Sequence, residues 1–273
     1  MNLNSLKSAA FYKSSPKLFA ALFSLRGFIR RSGVSCEYIE SKNLYKVIHY
    51  SEIRLASTKS RALMYIDGFD WRANSIFKTY LLDKLEFPAD SVIVDCGANV
   101  GDFYLGLKLN LGEKFRYIGF EPSPIDFYCL ENNIDSNTSD VSLHQKALWN
   151  ENRDITFYLH PESASSSIIE PRFFESKTVV SATRLDQEIS FPLFLLKVEA
   201  EGAEPEVLAG ASSLLPHVNY VVVDVGPERG KLEEETRDLV VDFLNKLEFE
   251  IFIENKGHRK IVLFKNKRVM KDY

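Results

Sequence analysis

A short apolar segment that ends in an acid and runs directly into glycines constrains this chain more than any other feature. Residues 91–96 read SVIVDC and residues 97–101 read GANVG. Consecutive β-branched residues bounded by turn formers are typical of a strand buried on both faces. A second such segment, FRYIGF at residues 115–120, is followed by Glu121, 26 residues after Asp95. This spacing predicts a strand, crossover helix, strand unit with parallel strands.

The rest of the chain continues the alternation of strands and helices. Further strands are predicted at residues 141–148, 154–160, 178–183, 193–198 and 220–225, and a terminal hairpin at 248–253 and 260–264. Helices are predicted at residues 72–86, 103–111, 124–133, 205–215 and 233–247. The alternation predicts a doubly wound α/β domain with a mostly parallel sheet, whose ligands bind at the carboxyl ends of the strands.

Length, charge and cysteine content exclude several other classes of protein. A chain of 273 residues, 45% of them hydrophobic, can form one α/β domain plus an extension. The net charge of -4 argues against nucleic-acid binding, because phosphate contacts require a basic domain. Three cysteines without CxxC spacing predict neither a disulfide framework nor a cysteine zinc site, and they favour a cytoplasmic location.

Positive charge is concentrated near the N-terminus. The first 60 residues contain ten Lys and Arg but three Glu. This asymmetry predicts a basic extension over residues 1–60 and an acidic domain over residues 61–273. Within residues 17–31, apolar residues recur every three or four positions among basic ones, which predicts an amphipathic helix.

Two interpretations of this helix remain open. Its predicted apolar stripe consists of Leu18, Phe19, Leu22, Phe23, Leu25, Phe28 and Ile29. The stripe can dock on the main domain or on a second subunit, or it can lie on an anionic membrane as a peripheral contact. The apolar run is too short to span a bilayer, and no small-residue cleavage site follows it. The sequence leaves the oligomeric state open.

The glycine-bearing loop and Glu121 together predict a nucleoside cofactor. Gly97 and Gly101 permit a tight turn and close approach of a ligand to the backbone, and the following helix points N–H groups toward that ligand. A carboxylate such as Glu121 can accept hydrogen bonds from both ribose hydroxyls. The loop has Asn99 at its centre, unlike the G-x-G-x-x-G loop that holds a pyrophosphate, and no phosphate loop occurs elsewhere. A cofactor without phosphate fits best.

The chain resembles the FkbM family of S-adenosylmethionine-dependent methyltransferases in six blocks that follow the family order. They are VDCGANVG (94–101), FEPSP (120–124), KALWNENRDITFY (146–158), TRLD (183–186), LLKVEAEGAEPEVLAG (195–210) and VDVGPERG (223–230). The resemblance implies a class I, Rossmann-like methyltransferase fold with a seven-stranded sheet whose last strand is antiparallel. It also implies that S-adenosylmethionine is the cofactor. The residues that the resemblance assigns to its binding are Asp95, Gly97, Asn99 and Gly101 for methionine, Glu121 for ribose and Ala147 for adenine.

The fifth block carries the candidate catalytic residues. The family usually reads Lys-Ile-Asp-Val-Glu-Gly-Ala-Glu, whereas this chain has Glu199 in place of the Asp. Methyl transfer to a hydroxyl requires a base, and crowded carboxylates raise one pKa toward the working pH. Glu199 and Glu201 are therefore the leading candidates, with Lys197 neutralising them or binding the incoming oxygen.

Alternative roles exist for the acids of this block. Glu201 or Glu204 could cap the helix predicted near Pro205, where acids favour the helix dipole. A divalent metal held by Glu199, Glu201 and Asp224 is conceivable, because magnesium prefers oxygen ligands, but no metal site is predicted.

These observations predict an S-adenosylmethionine-dependent methyltransferase that acts on a hydroxyl of a small molecule, sugar or glycan. A nicotinamide-dependent oxidoreductase could share the sheet and Glu121, and a non-catalytic cofactor-binding scaffold is a second alternative. The acceptor pocket is expected between the N-terminal segment, the insertion at residues 154–183 and the loop after Gly226.

Overall fold

Seven strands form the central sheet of the computed structural model, which describes residues 13–135, 140–160, 166–255, 257 and 259–268. Numbered along the chain and given in spatial order, they are β14 (Phe249–Glu254), β15 (Ile261–Asn266), β11 (Val218–Asp224), β10 (Leu193–Val198), β4 (Ser91–Cys96), β5 (Phe115–Phe120) and β6 (Val141–His144). β15 is antiparallel to both of its neighbours, and the remaining adjacent pairs are parallel. The predicted α/β fold with an antiparallel last strand is confirmed.

Helices separate the strands along the chain. They are α1 (Pro16–Arg30), α2 (Lys59–Leu63), α3 (Phe69–Thr79), α4 (Asp102–Leu111), α5 (Pro124–Asn133), α6 (Leu185–Glu188), α7 (Glu204–Ala209) and α8 (Arg237–Lys246). Residues of β10 enter two different apolar clusters, with Leu196 in one and Leu195 in the other, which explains why the strand is a nearly continuous apolar run. No helix in the described parts of the chain has the length and apolar character needed to cross a membrane.

The order of the strands places a switch point between β4 and β10. From β4 the chain builds outward through β5 and β6 on one side, and it later returns to β10 and β11 on the other. Loops that follow β4 and β10 therefore diverge from adjacent strand ends, which is where ligands of such sheets bind. Lys197 lies directly beside Asp95 in the pairing of these two strands.

Four predicted elements are wrong in their extent. The helix predicted at residues 205–215 ends at Ala209, and the helix predicted at residues 233–247 begins only at Arg237. The strand predicted at residues 141–148 turns after β6, where Lys146 N donates to His144 O, and its last residues form β7 (Ala147–Leu148) of a separate sheet. That sheet also contains β8 (Arg153–Leu159) and β9 (Ser176–Thr183), the predicted insertion. The helix predicted at residues 72–86 stops at Thr79, because Leu81 has a left-handed backbone with φ of 60°.

An antiparallel sheet that the sequence analysis did not predict follows the basic helix. It consists of β1 (Val34–Ile39), β2 (Leu44–His49) and β3 (Glu52–Ala56). A further small pair, β12 (Pro227–Arg229) and β13 (Glu234–Glu235), follows β11. The domain boundary predicted after residue 60 falls inside α2 and stays a prediction.

The single apolar stripe predicted for α1 divides into two faces. Phe19 and Phe23 are buried in a cluster with Tyr45 and Tyr65, so this face docks on the rest of the chain. Leu18, Leu25, Phe28 and Ile29 remain exposed. The prediction of one stripe is therefore wrong, because the helix is apolar on more than the face that it buries.

Candidate active site

A cavity of about 400 Å³ opens at the switch point of the sheet. Its volume lies within the range of small-molecule sites. Seven of the nine site residues predicted from the sequence line it: Gly97, Asn99, Glu121, Ala147, Lys197, Glu199 and Glu201. The other two, Asp95 and Gly101, do not. The N-terminal segment and the β8–β9 insertion contribute further walls, as expected, whereas the loop after Gly226 lines a separate, smaller cavity.

Asp95 and Lys197 form a buried ion pair beneath the cavity floor. Lys197 Nζ lies 2.9 Å from Asp95 Oδ1, and Asp95 Oδ2 accepts a hydrogen bond of 2.6 Å from Tyr117 Oη. Burial alone would lower the pKa of Lys197, but Asp95 and Tyr80 outweigh it, so the pKa is raised. Lys197 is therefore a permanent cation that compensates Asp95.

Lys197 also joins the two loops that meet at the switch point. Its ammonium group donates to the backbone oxygens of Cys96 and Gly97 at 3.1 and 2.8 Å, and it lies 3.0 Å from Glu199 Oε2. These partners engage all three of its protons. The side chain is 2% exposed, so the predicted role in binding an incoming oxygen has no free proton to support it.

Glu199 accepts donors on both carboxylate oxygens. Oε2 accepts from Tyr80 Oη and contacts Lys197, while Oε1 contacts Arg259. Arg259 Nε also lies 2.9 Å from Asp224 Oδ2. Burial raises the pKa of Asp224 to about 6. Two cations and three carboxylates, those of Asp95, Glu199 and Asp224, thus form one network across the ends of β4, β10 and β11.

Gly97 allows the loops after β4 and β10 to touch. A Cβ atom at this position would lie 2.1 Å from the backbone oxygen of Glu199, and the φ of Gly97 is 77°. Both observations require glycine. At Gly101, with φ of 88°, a Cβ would lie 3.1 Å from Leu130 Cδ1 of α5. Each glycine therefore makes room for another part of the chain, and not for a ligand as the sequence analysis expected.

Glu121 connects the glycine loop to the end of β5. Its Oε2 accepts a hydrogen bond of 2.9 Å from Asn99 N, and its Oε1 accepts one of 2.8 Å from Ser123 N. Burial, reinforced by Asp126, raises the pKa of Glu121 to about 8 in spite of these bonds. Each oxygen retains a second lone pair, so the carboxylate can still accept hydrogen bonds from a ribose.

Apolar side chains surround the part of the cavity beyond Glu121. Phe120, Ala147 and Leu148 line it there, at the junction of the central sheet with β7. Such a wall suits a flat heterocycle such as adenine. Together with the carboxylate of Glu121 and the volume of the cavity, it makes these residues fit the nucleoside part of S-adenosylmethionine.

Glu201 differs from Glu199 in having no fixed partner. No side-chain hydrogen bond or ion pair of its carboxyl group occurs among the described residues, although the group lines the cavity. Its backbone has φ of 49°, and its backbone oxygen accepts a hydrogen bond of 2.7 Å from Ser167 Oγ. Burial, together with the nearby Glu228, raises the pKa of Glu201 well above its usual range.

Glu204 has a structural role at the start of α7. Its Oε1 accepts hydrogen bonds from Ala200 N and Gly202 N at 3.0 and 3.1 Å, and its Oε2 accepts one from Thr236 Oγ1. The helix begins at Glu204, with Pro205 in its first turn. This acid therefore fixes the loop that carries Glu201. It lies in the first turn of α7, but the start of the helix has no side-chain cap hydrogen bond, so the capping alternative is not confirmed.

Acidic residues in the described ranges do not come together as a metal site. No group of three or more His, Cys, Asp or Glu residues there is arranged to hold a metal ion. Glu199 and Asp224, two of the three ligands considered, instead share Arg259.

Several residues that line the cavity were not identified from the sequence. They include Arg61, Arg72, Asp102 and Arg259. Arg72 pairs with the buried Asp102 at 2.7 Å, and Arg259 lies between β14 and β15. Arg72 and Arg259 do not belong to a sequence motif with regular spacing, so the sequence did not indicate that they line the cavity. Tyr80, which follows α3, also lines the cavity and donates to Glu199.

Comparison with known proteins decides the family. A sequence model described as the methyltransferase FkbM domain matches residues 95–257, more than half of the chain. The chain belongs to the FkbM methyltransferase family. S-adenosylmethionine is accordingly its cofactor, as the sequence predicted. The family assignment favours methyl transfer over the nicotinamide-dependent alternative.

Individual relatives agree with this assignment. The chain is 31% identical over 183 residues to "Methyltransferase 1" of Beauveria bassiana. The aligned region covers 57% of this chain and 72% of that protein. It is 29% identical over 148 residues to the hexuronic acid methyltransferase AglP of Haloferax volcanii, covering 53% of this chain and 59% of that one.

A solved structure supports the fold. The crystal structure of the methyltransferase FkbM from Methylobacillus flagellatus aligns with a TM-score of 0.50 at 16% identity, over 76% of this chain and 53% of that one. The chain therefore spans little more than half the length of AglP and of this crystallised protein.

Proposed function

We propose that this chain methylates a hydroxyl group on a small molecule, sugar or glycan. One observation carries the proposal: Glu201 lines the cavity beside the loops that fit the cofactor, and its carboxyl group has no hydrogen-bond or ion-pair partner among the residues that the structure describes. A hydroxyl becomes a better nucleophile when a positioned base accepts its proton. Bound S-adenosylmethionine would supply the electrophilic methyl group.

The roles proposed for the site residues follow from their contacts. Glu121 and Ala147 hold the nucleoside, and Gly97 and Asn99 form the loop beside the methionine part. Asp95 and Gly101 act behind this surface, by fixing Lys197 and by packing on α5. Lys197 and Glu199 position the loops, because their polar atoms already have partners. Glu201 is the proposed base, since burial raises its pKa toward the range where a carboxylate can accept a proton.

A sugar is the acceptor class that we favour within this proposal. AglP, one of the relatives, is named as a hexuronic acid methyltransferase. Part of the cavity lining is also polar. It includes Asn43, Ser57 and Thr58 from the N-terminal segment and His160 and Ser166 from the insertion. Hydroxyl and amide groups of this kind can bind the several hydroxyls of a sugar ring.

The direct test is an acceptor screen. The purified chain is incubated with S-adenosylmethionine and single sugars, uronic acids and glycosides, and S-adenosylhomocysteine formation is measured. We expect product only with certain acceptors, and mass spectrometry should locate the new methyl group on oxygen. Methylation of nitrogen or carbon would contradict O-methylation. Cofactor binding without turnover on any acceptor would favour the non-catalytic scaffold.

We further propose that the outer face of α1 contacts an anionic membrane. Phe28 and Ile29 are 82% and 70% exposed, and they lie beside Arg26 and Arg31. Those two arginines have no ion-pair partner in the described part of the chain, whereas Arg30 pairs with Asp67. Exposed apolar residues flanked by free cations suit a negatively charged lipid surface.

A further inference from the structure

Arg61 stands apart from the other cations that line the cavity. Four of them have carboxylate partners: Arg72 with Asp102, Lys146 with Glu188, Lys197 with Asp95 and Glu199, and Arg259 with Glu199 and Asp224. Arg61 forms no ion pair with any residue that the structure describes. Within those ranges the guanidinium donates one hydrogen bond, to Met64 Sδ at 3.9 Å.

The position of Arg61 is fixed by the start of α2. Thr58 caps this short helix, and its Oγ1 accepts a hydrogen bond of 3.1 Å from Arg61 N. The backbone is thereby anchored, while the half-buried side chain lines the cavity. An arginine held in this way can present its planar group with little further loss of freedom.

The charge of Arg61 reaches two sides of the cavity. Burial raises the pKa of Glu121, which follows β5, and of Glu201, which follows β10. The positive charge of Arg61 acts in the opposite direction and lowers both pKa values. Arg61, Glu121 and Glu201 line the same cavity, so a ligand that extends between these two strand ends would lie near the charge of Arg61. A partly desolvated cation without a partner is unfavourable, and a carboxylate that enters this space would relieve the cost.

We propose that Arg61 binds the carboxylate group of a ligand in this cavity. This inference rests on the proposed function, and it adds an acidic group to what the cavity recognises. Two ligands could supply the carboxylate: the methionine part of the cofactor, or an acidic acceptor such as a uronic acid. A bidentate pair with either would fix the ligand relative to Glu201.

The test compares ligands that differ only in the carboxylate. Binding of S-adenosylhomocysteine and of its decarboxylated analogue is measured by calorimetry for the wild type, Arg61→Gln and Arg61→Lys. If Arg61 binds the cofactor, Arg61→Gln should weaken S-adenosylhomocysteine about 10- to 100-fold, the range for a lost charge-assisted pair, and leave the analogue unchanged. Arg61→Lys should restore part of the affinity.

A second arm examines the acceptor. With S-adenosylhomocysteine bound, methyl glucuronide and methyl glucoside are compared by ligand-observed NMR. If Arg61 binds an acidic acceptor, the wild type should prefer the glucuronide, and Arg61→Gln should lose that preference while it binds S-adenosylhomocysteine normally. Arg153→Gln removes an exposed arginine outside the cavity and should match the wild type in both arms.

The outcomes separate this inference from the proposed function. Unchanged S-adenosylhomocysteine affinity together with an unchanged glycoside preference in Arg61→Gln would overturn the role of Arg61 alone. Failure of the wild type to bind S-adenosylhomocysteine would instead contradict the proposed function. Because Arg61 is half-buried, Arg61→Met, which keeps the aliphatic part of the side chain, provides a second variant should Arg61→Gln fold poorly.

Discussion

Carboxyl groups in and around the cavity fall into two kinds. Asp95, Glu199 and Asp224 each contact Lys197 or Arg259, so their charge is compensated within the protein. Glu121 and Glu201 form no ion pair with the residues that the structure describes, and burial raises the pKa of both. An uncompensated buried acid is unfavourable for folding, which suggests that the second kind is retained for binding and chemistry.

Replacement of Glu121 by Gln should weaken cofactor binding. Because a charge-assisted hydrogen bond to ribose is lost, we expect S-adenosylhomocysteine to bind about 10- to 100-fold more weakly by calorimetry. Burial raises the pKa of Glu121, so protonation competes with ribose binding at lower pH, and wild-type affinity should rise as the pH increases through that pKa. Glu121→Gln should lack this rise. Equal affinity of the wild type and Glu121→Gln for S-adenosylhomocysteine would contradict the ribose role. Glu151→Gln, which changes an exposed acid, serves as the control.

Replacement of Glu201 by Gln should affect turnover and spare cofactor affinity. General bases contribute about 10²- to 10⁴-fold, so kcat on an acceptor found in the screen should fall by that order. A base works only when ionised, and the raised pKa implies that wild-type activity increases with pH through that pKa. This dependence should disappear from the residual rate of Glu201→Gln. A variant with wild-type turnover would remove Glu201 from the mechanism.

At the scale of residues, the sequence predicted where the site lies better than what each residue does there. The positions of strand ends and the family resemblance together placed seven of nine candidates in one cavity, because the ends of parallel strands meet at one edge of the sheet. The sequence alone did not determine the separate roles of Lys197, Glu199 and Glu201. Those roles depend on Tyr80 and Arg259, which reach the site from distant parts of the chain.

Among the elements, α1 is the one whose surroundings the sequence left open. Its inner face packs on the small antiparallel sheet, while its outer face keeps large apolar side chains in contact with solvent. Periodicity alone could not separate these faces, because apolar residues occur on both. The three strands of the small sheet were missed because their alternation is weak, as the mixed burial of β1 and β3 shows.

The double variant Phe28→Ser/Ile29→Ser should reduce membrane binding without affecting the fold. Both side chains are exposed, so we expect a change in the free energy of unfolding within about 0.5 kcal/mol. Co-sedimentation with vesicles of phosphatidylcholine and phosphatidylserine should show binding by the wild type and a clear loss in the variant. Val179→Ser, an exposed apolar change on β9, is the matched control. Equal sedimentation of wild type and variant would contradict the membrane proposal.

For the whole molecule, the alternation of apolar strands with helices was sufficient to predict the architecture. Strands such as β4 and β10 are buried on both faces, and right-handed crossovers leave few ways to arrange them. The sequence indicated which segments complete the cavity wall but not how they pack. That wall is assembled from the N-terminal segment and the insertion, whose packing depends on long-range contacts without a local pattern.

The central claim is that this cavity binds a phosphate-free adenosine cofactor through Glu121. Calorimetric titration of the full chain with S-adenosylhomocysteine, and separately with NAD, tests it most directly. We predict one S-adenosylhomocysteine per chain with a dissociation constant of about micromolar order and no binding of NAD. Binding of NAD, or no measurable binding of S-adenosylhomocysteine, would contradict the account.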